Sequence, residues 1–257
     1  MRITHLFAVA SAAVVLAMTA ATGAASAATC ITVNTSHGPM TTAVYDTSVI
    51  GTTIDATGCQ IGAYYDDLGS GDIVSGAEIE NATDYGVFVD GVNGNVRVDV
   101  LDSSIHNIGD MPFDGVQRGN AIYYYGYNTA GTVSGTVSGN SVYQYQKGGI
   151  ITNGANAFTV VSDNVVTGLG PVDFIAQNGI QFGFGAAGSA SQNQISDNDY
   201  TGCSHQDAAK TGCIPYVSTG LLLYDVDPSQ VSRSENMYRD DQRNEYVAPA
   251  DQVSAHS

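Results

Sequence analysis

Four side chains in the middle of the sequence have the chemistry of acid–base catalysis. Asp173 lies in the apolar stretch PVDFI and Asp114 lies in MPFD, so two carboxylates share a Pro-x-Asp pattern. Two carboxylates that bracket a glycosidic bond are what a glycosidase needs. His106 could act as an acid or a base, and Gln177 could donate a hydrogen bond to a developing charge. Whether Asp173 is catalytic or a turn residue depends on the elements that position it.

Three long connections contain these residues, and we call them the first, second and third arms. They span residues 106–120, 167–178 and 200–219. All three interrupt the same turn of a repeated strand pattern, so stacking of the repeats should bring them out on one side of the molecule. Long loops on a rigid scaffold are where binding and catalytic groups are usually found. We therefore expect a cleft beside the arms.

The repeated pattern consists of short β segments separated by turns rich in glycine and asparagine. One set of segments is centred on Ile79, Ile105, Val142, Val166, Ile195 and Met237. Their shortest intervals, about two dozen residues, are typical of solenoids. The helical i, i+3, i+4 periodicity is missing. The pattern predicts an all-β fold, a parallel β-helix of about seven coils. Equivalent turns of the β-helix each contain an asparagine, and these side chains should stack as a ladder: Asn140, Asn164, Asn193 and Asn236.

Segments such as GAEIENA, GNSVYQY and GGIITNG recur over roughly residues 50–245. This pattern resembles that of the right-handed parallel β-helix proteins of the pectate-lyase-like superfamily. The resemblance implies a right-handed solenoid, and we expect one domain over residues 28–257. In the second arm, PVDFIAQN is similar to the VDFIFGN segment of pectin methylesterases, whose aspartate is catalytic and corresponds to Asp173. The other esterase motifs are missing. The chain also looks compatible with β-helix cyclases of bacterial polyether polyketide pathways.

The strands that follow the arms offer a column of outward side chains. Alternation along GVFV, AIYY, GIIT, GIQF and GLLL places every second residue outside. The column is Phe88, Tyr123, Ile151, Gln181 and Leu222, flanked by Tyr125 and Tyr224, with Arg118 and Asn178 as polar neighbours. An apolar outer column beside long arms is unusual. Either the arms bury it, or it lines a groove for an apolar or amphipathic ligand.

The first 27 residues have the pattern of a secretory signal, with a basic start, the apolar stretch LFAVASAAVVLAM and a small-residue site, ASA. No later stretch reaches the length of a membrane span, so we expect a secreted protein without one. Four cysteines suit two disulfides, and three pairings are open. Proximity in sequence favours Cys30–Cys59 and Cys203–Cys213.

The charge composition limits the kinds of ligand that we expect the protein to bind. The net charge is −17 at pH 7, from 25 acidic and 8 basic residues. Such a field repels polyanions, so nucleic acid and polyuronates are unfavourable ligands. The side chains do not show the spacing of a metal site, and we expect no metal and no cofactor.

Three functions remain open. The first is a monomeric, cofactor-free enzyme that holds an uncharged, largely apolar, polyketide-like molecule and promotes its cyclisation or rearrangement by shape and hydrogen bonding. The second is a carbohydrate-active enzyme, a lyase or hydrolase, acting on a neutral glycan. The third is a binding or surface solenoid without chemistry. The apolar column favours the first function over the third, because a plain scaffold should present Thr, Ser and Asn there.

Overall fold

The computed structural model of the protein describes residues 27–202 and 216–248, and this part is all-β, as predicted. Its only helices are two short 3-10 turns, Asp67–Gly69 and Pro228–Gln230. In chain order the strands are β1 (Ile31–Thr35), β2 (Gly38–Tyr45), β3 (Val49–Ile50), β4 (Thr53–Asp55), β5 (Ile61–Tyr65), β6 (Ile73–Ser75), β7 (Glu78–Glu80), β8 (Tyr85–Asp90), β9 (Val96–Arg97), β10 (Asp99–Leu101), β11 (Ser104–Ile108), β12 (Asn120–Tyr125), β13 (Val133–Ser138), β14 (Ser141–Tyr145), β15 (Gly148–Asn153), β16 (Ala157–Ser162), β17 (Val165–Val172), β18 (Asn178–Gly183), β19 (Ala187–Ser191), β20 (Gln194–Tyr200), β21 (Thr219–Tyr224), β22 (Val231–Ser234), β23 (Met237–Arg239) and β24 (Arg243–Val247).

The strands form three sheets. Sheet A has the order β1-β2-β5-β8-β12-β15-β18-β21-β24, sheet B has β3-β6-β10-β13-β16-β19-β22 with β9 beside β13, and sheet C has β4-β7-β11-β14-β17-β20-β23. Strands pair in parallel, except for the antiparallel hairpin β1–β2. From β2 onward the chain passes through sheets A, B and C in turn, and then repeats this order. Each strand pairs with the strand that the next such passage adds to the same sheet. This order is consistent with the predicted β-helix.

Strand alternation builds the core that the three sheets share. In sheet A, Val87, Ile122, Ile150, Ile180 and Leu221 are aligned on successive strands and fully buried. They pack with the apolar side chains of sheets B and C in one hydrophobic cluster. Burial of each aliphatic side chain of this size stabilises the fold by about 1.5–3 kcal/mol. Because the inner face is filled, a ligand can meet only the outer faces of the sheets.

The predicted asparagine ladder is present at the turns between sheets B and C. Oδ1 of Asn164 accepts hydrogen bonds from the backbone N–H and the side-chain amide of Asn140, at 3.0 and 2.9 Å. Asn193 does the same for Asn164, and Asn236 does the same for Asn193. Each amide also donates to a main-chain carbonyl, as Asn140 does to Val100. The ladder therefore fixes the vertical alignment of successive turns.

The N-terminal end is closed by the hairpin and one disulfide. Cys30 and Cys59 are bonded, as predicted, with a Cα–Cα distance of 5.5 Å. Cys203, Cys213 and residues 1–26 of the expected signal lie outside the described residues. Within 27–202 and 216–248, no helix has the length and hydrophobicity to cross a membrane.

Candidate functional site

The described parts of the three arms lie against one another, as the stacking of equivalent turns predicts. Gly115 of the first arm is so close to the second that a Cβ there would lie 2.9 Å from the carbonyl oxygen of Phe174. Gly202 at the start of the third arm approaches the carbonyl oxygen of Asp173 even more closely, so no side chain fits there. The N–H of Thr201 donates to the carbonyl of Val172 at 2.8 Å. The described segments of the first and third arms therefore both contact the second arm.

The first arm is held together by its own polar groups. Arg118 forms an ion pair with Asp110, with Nε 2.8 Å from the carboxylate, and this pairing lowers the pKa of Asp110. Nε2 of the buried Gln146 donates to Oδ1 of Asp114 at 3.1 Å and to the carbonyl of Val116. Asp114 is exposed to solvent. Arg118 and Asp114 thus have structural partners within the arm and its base.

The second arm begins as a strand and not as a loop. Residues 167–172 continue β17, which pairs with β20 beyond a register shift. Asp173 is exposed, so the expectation of a carboxylate embedded in apolar surroundings is wrong. Gln177 is fully buried. Its Oε1 accepts from the N–H of Leu169 at 2.9 Å and its Nε2 donates to the carbonyl of Tyr145. The contacts of Gln177 shape the turn and leave no donor for a substrate.

His106, the first residue of the first arm, belongs to a strand and not to a loop. It is buried on β11 in sheet C, where its Nε2 is 3.2 Å from Oε1 of Glu78 and its Nδ1 is 3.9 Å from Glu80. Its ring stacks on Tyr143 at 4.7 Å. The structure therefore does not assemble His106, Gln177 and the two aspartates into one catalytic group.

The predicted outward column is in register on sheet A, but it is covered. Phe88, Tyr123, Ile151, Gln181 and Leu222 occupy equivalent positions on successive strands. Of these, only Gln181 is half-buried, and the four apolar side chains are buried. Of the two alternatives for the column, burial and an open groove, the structure shows burial of the four apolar side chains. At the N-terminal end the cover is the β1–β2 hairpin, which packs its apolar residues on the column.

A chain of hydrogen bonds crosses the outer face of sheet A, and we call it the amide chain. Thr219 donates to Asn178 at 2.9 Å, Asn178 to Gln181 at 3.0 Å, Gln181 to Asn153 at 2.9 Å, and Asn153 to the hydroxyl of Tyr123 at 3.2 Å. Each amide side chain has two donor hydrogens and two acceptor lone pairs. The amide of the half-buried Gln181 thus keeps a donor and an acceptor that the chain does not use.

Beside the amide chain runs a continuous series of rings, which we call the aromatic row. In order, its members are Tyr85, His37, Tyr125, Tyr127, Phe184 and Tyr224. Successive ring centroids are 5.9, 4.6, 6.4, 5.4 and 5.3 Å apart. All six side chains are exposed or half-buried, and Tyr127 is 44% exposed. Tyr123, at the end of the amide chain, packs against Tyr85 at 5.1 Å and Tyr125 at 5.7 Å.

Phe184 adopts a backbone conformation that a phenylalanine rarely takes. Its φ is +56°, in the left-handed region, which costs a bulky L-residue about 1–2 kcal/mol. Its N–H donates to the carbonyl of Tyr224 at 2.9 Å, and its ring lies between Tyr127 and Tyr224. The strained turn therefore presents an aromatic ring in a row that remains accessible to solvent.

One end of the aromatic row contains a pair of titratable groups. The hydroxyl of Tyr85 and Nδ1 of His37 share a hydrogen bond of 2.9 Å. Burial against the rings lowers the pKa of His37, which still has an exposed edge. Beneath the hairpin, burial raises the pKa of Asp90, whose carboxylate accepts from the N–H of Ser36 at 2.8 Å and the hydroxyl of Tyr64 at 3.3 Å.

Two interacting acidic residues, Asp46 and Asp66, lie at the turn between sheets A and B. Oδ1 of Asp46 accepts from the N–H of Asp66 at 3.0 Å, and its buried Oδ2 has no partner. Burial, together with the neighbouring Asp66 carboxyl, raises the pKa of Asp46 to about 6. Asp66 is satisfied by the hydroxyl of Tyr45 and the amide of Asn93. This cluster is part of the scaffold beside the hairpin.

A shallow groove of about 440 Å³ lies at the turns between sheets B and C. It is lined by short polar turns of successive passages, including Thr53, Glu78 and Ser104. It contains none of the predicted site residues. In the described ranges, no three His, Cys, Asp or Glu side chains are grouped so that they could hold a metal ion.

Comparison of the chain with protein-family models, with curated proteins and with solved structures gave no match. The site therefore rests on its own geometry. Sequence reasoning missed His37, Tyr127, Phe184 and Asn153. The tyrosine-rich segment YYYGYN and the FGFG turn were visible signals, but nothing local places a hairpin histidine between Tyr85 and Tyr125.

Proposed function

We propose that the protein is an exported, right-handed β-helix of seven coils that binds an uncharged, hydroxyl-rich ligand along the aromatic row. The three sheets would be the faces of the solenoid, and the arms would border the ligand-binding face. The disulfide and the signal-like N-terminus support export. The single observation that supports ligand binding is the aromatic row, because accessible apolar surface of this extent on a soluble scaffold marks an interaction site.

The chemistry of this face favours a ligand with both apolar and hydroxyl surfaces. Aromatic rings pack on flat C–H faces, and the free amide capacity of Gln181 can pair with hydroxyl groups, which both donate and accept. A wholly apolar ligand would desolvate that amide without compensation. An anionic ligand is repelled by the net charge of −17. Neutral glycans and polyhydroxylated polyketides share the favoured chemistry, and of the two we favour the glycan.

A thermal-shift and titration panel tests this proposal. We expect neutral oligosaccharides, such as hexamers of glucose and xylose in several linkages, to raise the melting temperature. Polygalacturonate should not. A polyether polyketide is the third ligand class in the panel. Its binding would show that the ligand is a polyketide and not a glycan. A panel in which only the anionic polymer binds would contradict the proposal.

A pair of matched variants tests whether the ligand binds at the aromatic row. Tyr127→Ala should weaken the affinity about five- to tenfold, as expected for an aromatic contact of about 1–1.5 kcal/mol. Phe158→Ala removes a comparably exposed aromatic side chain, 51% exposed on sheet B, and should leave the affinity unchanged. Equal effects of the two changes would place the ligand elsewhere.

A second candidate function, turnover of the bound ligand, is favoured by the pair of His37 and Tyr85. A hydrogen-bonded imidazole and phenol at one end of the row could transfer a proton to or from a ligand hydroxyl. His37→Gln should then stop product formation, followed by mass spectrometry on the hexamers that bind, while the affinity changes less than threefold. Unchanged turnover in this variant would leave binding as the function.

A further inference from the structure

Lys147 is unlike every other cation in the described part of the chain. It is one of two lysines in the sequence, and it directly precedes β15 between the first and second arms. Its backbone N–H donates to the carbonyl of Gly119 at 2.9 Å, and its carbonyl accepts from the N–H of Asn178 at 3.1 Å. The backbone of Lys147 is thus bordered by the ends of both arms.

The side chain of Lys147 makes one polar contact. Its Nζ donates to the main-chain carbonyl of Ala176 at 2.7 Å, and the residue is half-buried. Over residues 27–202 and 216–248, no carboxylate lies within ion-pair distance of it. The two aspartates of the first arm are engaged elsewhere, Asp110 with Arg118 and Asp114 with the Gln146 amide.

The arginines provide the comparison. Arg97, Arg118, Arg233 and Arg239 pair with carboxylates, and Arg243 lies 4.8 Å from the ring of Tyr246. Among the described residues of this protein, which has 25 acidic side chains, Lys147 has neither a carboxylate nor an aromatic ring as a partner. A partly buried lysine that has no carboxylate partner is more readily present as the neutral amine.

We propose that Lys147 is a reactive amine that condenses reversibly with an aldehyde or ketone ligand. Its Nζ lone pair attacks the carbonyl carbon, the C=O bond breaks, and one water leaves as the imine forms. The step is a condensation without net oxidation, so it needs no co-reactant. This inference does not depend on the aromatic row. Burial lowers the pKa of Lys147 to about 8, which agrees with the geometry.

The titratable side chains of the first two arms form no ion pair with Lys147 in the described residues. Those of the first arm include Asp110, Asp114 and Arg118, and the second arm contributes Asp173. At pH 7, a lysine with this pKa holds on the order of a hundred times more free amine than an ordinary lysine.

Reductive trapping on the unmodified full-length protein tests the proposal. The folded protein is treated with glycolaldehyde and cyanoborohydride at pH 7, and labelling of Lys147, Lys210 and the chain's amino terminus is followed by peptide mass spectrometry. We expect Lys147 to be labelled at least about tenfold faster than Lys210, with a pH midpoint near 8. The preference should disappear in 6 M guanidinium chloride, which serves as the internal control.

Two results would overturn the proposal. One is labelling of folded Lys147 no faster than Lys210. The other is a preference that persists in the unfolded chain, since it would then come from local sequence. Lys147→Arg keeps a cation beside Ala176 and should lose the fast-labelled peptide while the far-UV spectrum is unchanged. If fast labelling of another residue replaces it in that variant, the assignment to Lys147 is wrong.

Discussion

Replacement of Asn164 by alanine removes the central member of the asparagine ladder. Asn164 is fully buried, and its Oδ1 accepts from both the N–H and the side-chain amide of Asn140, while its Nδ2 donates to the carbonyl of Val137 and to Asn193. Alanine leaves the two Asn140 donors without an acceptor in a dry interior. At about 1–3 kcal/mol for each unsatisfied group, we expect a loss of about 3–5 kcal/mol.

Guanidinium denaturation followed by tyrosine fluorescence and far-UV circular dichroism measures this loss. The melting temperature should fall by about 10 °C for a chain of this length. Asp163→Asn, at the exposed neighbouring position with φ of +58°, should change stability by less than about 0.5 kcal/mol. Asn236→Ala, at the half-buried end of the ladder, should cost about half as much, because water can enter. A loss below 1 kcal/mol for Asn164→Ala would refute the reasoning.

Three further predictions concern other parts of the scaffold. Asp46→Asn keeps the bond from the Asp66 N–H and removes a carboxyl whose pKa is raised to about 6. Because a raised carboxyl pKa destabilises the fold as pH rises from about 4 to 6, the variant should gain about 1 kcal/mol at pH 8 and nothing near pH 4. Melting curves at the two pH values measure this, and an equal gain at both would contradict it. Phe184→Asn suits a left-handed turn and should change stability by less than about 1 kcal/mol in denaturation, while it weakens ligand binding about five- to tenfold through the lost aromatic contact; unchanged affinity would exclude that ring from the site. The double variant Cys30→Ser, Cys59→Ser opens a loop with a sequence separation of 29 residues and should lose about 3–4 kcal/mol in chemical denaturation. A loss below 1 kcal/mol would show that the end of the fold does not depend on this bond.

The features that follow from the repeat could be predicted from the sequence. Alternation along strands such as GIIT determines which side chains face inward, and the recurrence of an equivalent turn in each repeat places Asn140, Asn164 and Asn193 above one another. The side-by-side arrangement of the arms follows from the same stacking. These features depend on periodicity and local turn chemistry, both of which a single sequence displays.

The burial of the outer column could not be predicted in this way. The hairpin that covers Phe88 comes from β1 and β2, far earlier in the chain, and the repeat pattern says nothing about where it folds back. His37 therefore could not be placed beside Tyr125. Asp173 was misjudged for a related reason, since PVDFI suggests burial but the strand extension of the arm leaves its carboxyl in solvent.

A crystal structure of the protein with the tightest-binding neutral oligosaccharide tests the central claim most directly. We predict sugar rings packed on Tyr127, Phe184 and Tyr224, with a hydroxyl hydrogen-bonded to the amide of Gln181. Sugar density in the shallow groove between sheets B and C, with the aromatic row left bare, would contradict it.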